Sequence, residues 1–346
     1  MKSVLLTGIK KLELKDTPVP EIINDNDVLL KVAAVGVCGS DIHYFNEGRI
    51  GDQIITFPFS IGHECSAKVE KVGKGVKNLK IGQKVAIEPA ISCGHCDQCL
   101  QGRRHTCRNL RFMGAPGQYE GCLSEFVVMP EENCFVINDN MPVTNAALVE
   151  PLSIGAYAVK LSGEGEYKNI AILGSGPIGL SVLLALGKNP QRKIYVTDKL
   201  NYRLEAAKKM GAFWTGNPGE KDIVKELNHV EPLQMDIVFE CCGEQEALDQ
   251  AVDILKPGGK LMIVGIPETD TIQFNISKLR RKEITIQNVR RQNNSIPDAI
   301  KIAEHNPQAA ELMITHTFKL NEAQKAFETV AGYKDGVIKA MIKLEA

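Results

Sequence analysis

Residues 169–179 read Asn-Ile-Ala-Ile-Leu-Gly-Ser-Gly-Pro-Ile-Gly, and the fold turns on this stretch. Asn169–Leu173 is a short apolar run of strand length, and Pro177–Gly187 has the apolar content of a buried helix. Between them Gly174, Gly176 and Gly179 make a G-x-G-x-x-G turn in the context that gives this pattern meaning, strand before and helix after. The first glycine permits the tight turn, and the second lets the backbone approach a pyrophosphate. The third lets helix and strand pack closely, with the helix N-terminus facing the anion. Gly174, Gly176, Pro177, Ile178 and Gly179 are therefore candidate dinucleotide-binding residues. A second strand, Lys193–Thr197, ends at Asp198, 19 residues after Gly179. A carboxylate there can accept from both ribose hydroxyls and repels a 2′-phosphate, so NAD is expected over NADP. Lys199 and Arg203 soften that preference without reversing it, and Arg203 joins the candidate cofactor residues.

Outward from this turn the rhythm continues. Strands are expected at Asp236–Glu240, Lys260–Val264 and Ile284–Val289, alternating with helices at Arg203–Met210 and Ala247–Leu255, with a turn at Pro257–Gly259. Such βαβ units predict an α/β fold with a doubly wound parallel sheet. Val264 and Val289, at the ends of two strands, are expected beside the cofactor. The first 150 residues read instead as strands and glycine-punctuated loops. After residue 290, helices are expected at Ile296–Glu304 and Glu322–Val330 and a strand near Ile338–Lys343.

A chain of 346 residues is too long for one core and implies two domains. Its 41 Lys+Arg against 42 Asp+Glu argue against a dedicated nucleic-acid or membrane-surface binder, which would carry a basic stripe. No apolar run approaches the roughly 20 residues of a spanning helix. Nothing near Val4–Ile9 resembles a signal peptide, so a cytoplasmic location is expected.

The ten cysteines are unevenly placed: Cys93, Cys96, Cys99 and Cys107 fall within 15 residues. Clustered Cys-x-x-Cys spacing in a large chain reads as metal binding before disulfide framework. Four thiolates in one loop suit a closed, structural zinc site. An iron–sulfur cluster is the competitor, but seven residues precede Cys107 where the ferredoxin run has three, and Arg108 follows where that run has proline. His95 and His105 lie in the loop as bystanders. A second constellation is weaker piece by piece: Cys38-Gly-Ser40-Asp41-Ile-His43 and Gly62-His63-Glu64. In a chain with a cofactor domain, these suggest a mixed-ligand zinc with one open position.

Taken together, Cys38-Gly-Ser-Asp-Ile-His-Tyr44, Gly62-His-Glu64, the cysteine loop, Glu150-Pro-Leu-Ser153 and the glycine turn resemble the zinc-dependent medium-chain dehydrogenases, most of all the polyol (sorbitol or xylitol) dehydrogenases. The resemblance runs nearly end to end. It implies a GroES-like β-barrel catalytic domain from both chain ends, 1–154 and 291–346, interrupted by a Rossmann NAD-binding domain, 155–290. It implies two zinc ions per chain, with Cys38, His63 and Glu64 as catalytic-zinc ligands and Glu150 ligating directly or holding a bound water. Asp41 would orient His63. The implied activity is oxidation of a secondary hydroxyl of a polyol to a ketose, zinc acting as Lewis acid and hydride passing to NAD. Ser40 would accept the proton and pass it to His43 or water. Tyr44, Phe112, Arg290 and Arg291 are the candidate substrate contacts, and a homo-oligomer, tetramer or dimer, is implied.

Two departures matter. Polyol dehydrogenases usually carry Phe-Arg-Tyr where this chain has Val289-Arg290-Arg291, and a paired guanidinium suits a carboxylate or phosphate. A sugar acid or polyol phosphate is therefore an alternative substrate, and the same chemistry on L-threonine or a vicinal diol is another. Ala67 also stands where the family signature usually has glycine.

Overall fold

The computed structural model describes residues 1–163, 165–267 and 269–344. The chain divides into two compact units, Met1–Glu150 with Ile296–Ala346, and Pro151–Ser295. These bounds differ by four or five residues from the expected 154/155 and 290/291. At the first crossing the division falls inside the helix Val149–Ser162, and at the second it falls in the loop before the helix Ile296–His305.

In the second unit, among the described residues, six parallel strands form one sheet. Their spatial order is Trp214–Gly216, Lys193–Thr197, Asn169–Leu173, Met235–Glu240, Leu255–Ile263, Thr285–Asn288. Asn169–Leu173 is buried at every position, as a strand covered on both faces must be. Leu173, Tyr195, Val238, Leu248 and Leu261 belong to the core beside it. The winding reverses between Asn169–Leu173 and Met235–Glu240, which puts the Gly174 turn at the carboxyl-end crevice where such sheets bind ligands. Pro257–Gly259 does not form a separate turn. It runs within the strand Leu255–Ile263, where the pairing with Met235–Glu240 shifts register and Gly258 takes a left-handed φ of 76°. Trp214–Gly216 and the helix Ile223–Val230 were not expected; the helix is N-capped by Asp222, whose carboxylate accepts from the Lys225 N–H at 3.1 Å.

In the first unit, among the described residues, a seven-stranded sheet runs Cys134–Val136, Lys84–Ile87, Glu64–Val72, Asp27–Gly36, Lys339–Lys343, Ile314–Lys319, with Phe126–Pro130 also on Asp27–Gly36. Every pairing is antiparallel except that of the last two strands in this row. Leu30, Val32, Ile61, Ile87, Met129 and Ile342 contribute to its core. The central strand Asp27–Gly36 has Glu64–Val72 on one side and Lys339–Lys343 on the other, so the carboxyl-terminal strand joins a sheet built mainly from the amino-terminal part of the chain. This adjacency builds the site described next.

Candidate active site

Cys38 lies two residues past the strand Asp27–Gly36 and is the N-cap of the helix Gly39–Glu47. Asp41, three residues on, accepts from the Cys38 backbone N–H at 3.1 Å, which holds the first turn and buries the carboxylate to 1 % exposure. Its other oxygen lies 3.3 Å from His63 Nδ1. His63 and Glu64 lead into the strand Glu64–Val72, and Gly36 pairs with Glu64 across the sheet. Ligand atoms of Cys38, His63 and Glu64 thereby come within 4.8 Å of one another, with His63 and Glu64 buried. Burial works against the imidazolium, but Asp41 and Cys38 outweigh it and hold His63 well above its usual range. The site's sulfur, nitrogen and oxygen donors fit zinc with an open position.

Gly36 and Lys339 complete the setting, and neither stands out in the sequence reading. A Cβ on Gly36 would lie 2.2 Å from Glu64 Oε2, so the carboxylate occupies the space a side chain would need. Lys339, 1 % exposed, donates to both Glu64 oxygens, at 2.7 and 2.5 Å, and to Val37 O at 3.1 Å. Burial disfavours its charge, yet Glu64, Cys38 and Glu150 raise it above the usual lysine range. Glu150, in the first turn of Val149–Ser162, is buried but does not join the three-donor cluster.

The four-cysteine loop has its own geometry. The Cys93, Cys96, Cys99 and Cys107 ligand atoms lie within 4.8 Å of one another, with sulfur separations of 3.5 Å (Cys93–Cys107), 3.6 Å (Cys96–Cys99) and 3.8 Å (Cys96–Cys107). A tetrahedron with Zn–S bonds of about 2.3 Å has edges of about 3.8 Å, so the sulfurs already stand at zinc spacing. Backbone N–H groups of His95 and Cys96 draw the Cys93 thiol down to about 6, so it offers a thiolate at neutral pH. His95 is exposed with its ring on Cys93 O, and His105 is buried in the short helix Arg104–Thr106.

At the glycine turn, Gly174 has φ 95°, and a Cβ on Gly179 would lie 1.9 Å from Gly174 O. Asp198 accepts from the Ser175 N–H at 2.7 Å and from the Leu200 N–H at 2.9 Å, bracing the turn against the end of the second strand. Arg203 Nη1 stands 3.9 Å from the same carboxylate. Val264 and Val289 follow the carboxyl ends of their strands and donate to Glu240 O and Ile263 O.

Residues 24–139 match the family described as alcohol dehydrogenase GroES-like domain, and 177–305 that described as zinc-binding dehydrogenase. The sorbitol dehydrogenase of Bacillus subtilis is 35% identical over 99% of this chain and 97% of its own. The chain belongs to the zinc-dependent medium-chain dehydrogenases. The L-idonate 5-dehydrogenase of Vitis vinifera is 33% identical over 94% of this chain and 90% of its own. The crystal structure of galactitol-1-phosphate dehydrogenase from Escherichia coli superposes with a TM-score of 0.90 at 26% identity, covering 99% of this chain and all of that one.

For a dehydrogenase of this family the remaining expected contacts are placed unevenly. Ser40 donates to Cys38 Sγ at 3.3 Å, and half-buried His43 lies one helical turn further on. The ring of Phe112 is 5.3 Å from that of His63, which packs it against the three-donor cluster. Tyr44, expected to meet substrate, is 4 % exposed: its ring packs on Phe59 and its hydroxyl donates to Gln53. The helix Gly39–Glu47 packs it against the first unit's core. Arg290 is exposed, and half-buried Arg291 has a left-handed φ of 51°.

Asp198→Ala is expected to raise the Kd for NAD by about 10–100-fold, the loss of one or two charge-assisted hydrogen bonds. NADP binding should fall less: both dinucleotides lose the brace that Asp198 gives the Ser175 N–H, but for NADP the substitution also removes a repulsive charge. Calorimetric titration of both dinucleotides checks this, and equal losses would remove the ribose assignment.

Proposed function

We propose that the protein oxidises a secondary hydroxyl of a polyol to the ketose with NAD as hydride acceptor. The observation that carries this is the convergence of Cys38, His63 and Glu64 donor atoms within 4.8 Å in a chain that also holds a dinucleotide turn. Cys38, His63 and Glu64 would hold the catalytic zinc, and Cys93, Cys96, Cys99 and Cys107 a structural one. When bound, the catalytic zinc supplies Lewis acidity to the substrate hydroxyl. Asp41 on Nδ1 orients the His63 ring and leaves Nε2 as its donor. Ser40 is the first proton acceptor, already seated on the Cys38 sulfur, and His43 is the next. Phe112 covers one side of His63 and limits water there. Glu150, outside the three-donor cluster, orients a water or hydroxyl. The turn Gly174–Gly179 with Asp198 binds NAD, supported by Arg203, Val264 and Val289. The protein is expected to work as a cytoplasmic homo-oligomer.

A second reading, a sugar acid or polyol phosphate as substrate, is favoured by Arg290-Arg291 and by the names of two relatives, L-idonate and galactitol-1-phosphate dehydrogenase. A substrate panel read by NADH absorbance decides between them. Polyols such as sorbitol and xylitol are expected to have the highest kcat/KM, and an advantage of tenfold or more for an anionic counterpart would establish the second reading instead.

A further inference from the structure

Glu64 answers to two cations. One of its oxygens lies within 4.8 Å of the Cys38 and His63 donors, and both oxygens accept from the buried ammonium of Lys339. Lys339 sits on the strand Lys339–Lys343, whose other residues are mostly apolar and buried, and its third contact is Val37 O, one residue before Cys38. A buried lysine is costly unless paired. An ammonium within hydrogen-bond distance draws electron density from a carboxylate and lowers its strength as a donor. The same positive charge also opposes the arrival of a metal cation a few ångströms away.

We propose that Lys339 is a positioning residue that tunes the catalytic metal site, weakening the Glu64 donor so that the metal is held less tightly and keeps more Lewis acidity for the substrate. This rests on the proposed function, in which the Cys38–His63–Glu64 site holds zinc. It makes a prediction whose sign is opposite to that of a purely structural role. If Lys339 only stabilised the fold, its loss would loosen the site and speed zinc release. If it tunes the metal, its loss leaves a more anionic donor set that grips zinc harder.

The test uses zinc-loaded protein in four forms: unaltered, Lys339→Met, Lys339→Gln and Lys339→Arg. Zinc release to excess chelator is followed in time, and the phase missing from Cys38→Ser identifies the catalytic site. Lys339→Met and Lys339→Gln are expected to slow that phase about tenfold or more, the scale of changes to groups that orient metal ligands. Lys339→Arg is expected to keep the original rate. With cobalt in the site, the visible bands should move in the Met and Gln forms and stay in place in the Arg form. Gln keeps a polar N–H donor in place of the ammonium without its charge, so it provides the answer if Met does not fold. Unchanged or faster release, or an unmoved cobalt spectrum, overturns the proposal. If unaltered protein and Cys38→Ser release zinc identically, the metal-site reading itself fails, which is a separate result.

Discussion

Cys38→Ser is expected to lower turnover by about a thousandfold or more and to remove one of two zinc ions per chain. Lewis-acid polarisation supplies several kcal/mol to such a reaction, and about 4 kcal/mol corresponds to a thousandfold in rate. The fold should survive. With the thiolate gone, Asp41 still faces His63 and Lys339 still holds Glu64, so no buried charge is left without a partner. The four-cysteine loop is a separate cluster and should retain its metal. Metal analysis, circular dichroism and NADH formation on the best panel substrate check the three parts. Full turnover with one zinc lost would show that Cys38 does not hold the catalytic metal.

Gly179→Ala is expected to destroy dinucleotide binding while leaving both metal sites loaded. The new methyl would lie 1.9 Å from Gly174 O and 2.9 Å from its carbon, and these are backbone atoms that no rotamer change can move away. Overpacking of this kind costs about 1–3 kcal/mol in stability. The turn must also shift to admit the methyl, which pulls the Ser175 N–H off Asp198 and displaces the pyrophosphate cradle. Misplacement on the ångström scale costs roughly a hundredfold in a positioned reaction. NAD titration and thermal unfolding would measure both effects. Gly176→Ala makes a useful contrast: its Cβ would meet only the Arg203 guanidinium, at 3.4 Å, so the protein alone tolerates it. Any loss there reports on the space the bound pyrophosphate needs.

The parts legible in the sequence are those whose physics is local. The run Asn169–Leu173, the glycines after it and the acid ending Lys193–Thr197 lie within 30 residues of one another, and each demands its residue types for steric or electrostatic reasons. Three cysteines two residues apart and a fourth seven residues on announce four sulfurs in one loop, and the structure brings them to 3.5–3.8 Å. Short or weakly periodic elements were harder to read. Trp214–Gly216 has three residues, too few for a period, and the Pro257–Gly259 breaker signal lost to strand pairing on either side of the bulge. The direction of a helical side chain such as Tyr44 is likewise set by what packs around it, here Phe59 and Gln53, which no motif position announces.

The sequence by itself determined the doubly wound cofactor sheet, the four-sulfur loop and the residue types available for an open metal site, because strand–turn–helix punctuation and ligand spacing act over a few residues. Only the tertiary structure decided what surrounds that site. Lys339 reaches Glu64 across a separation of 275 residues, because the carboxyl-terminal strand pairs beside the strand that ends at Gly36. A lone lysine in the apolar run Val337–Ile342 was its one sequence signal, and its partner depends on sheet order, which no local pattern encodes. Gly36, cleared for the Glu64 carboxylate, and Phe112, laid against His63, follow from the same long-range packing.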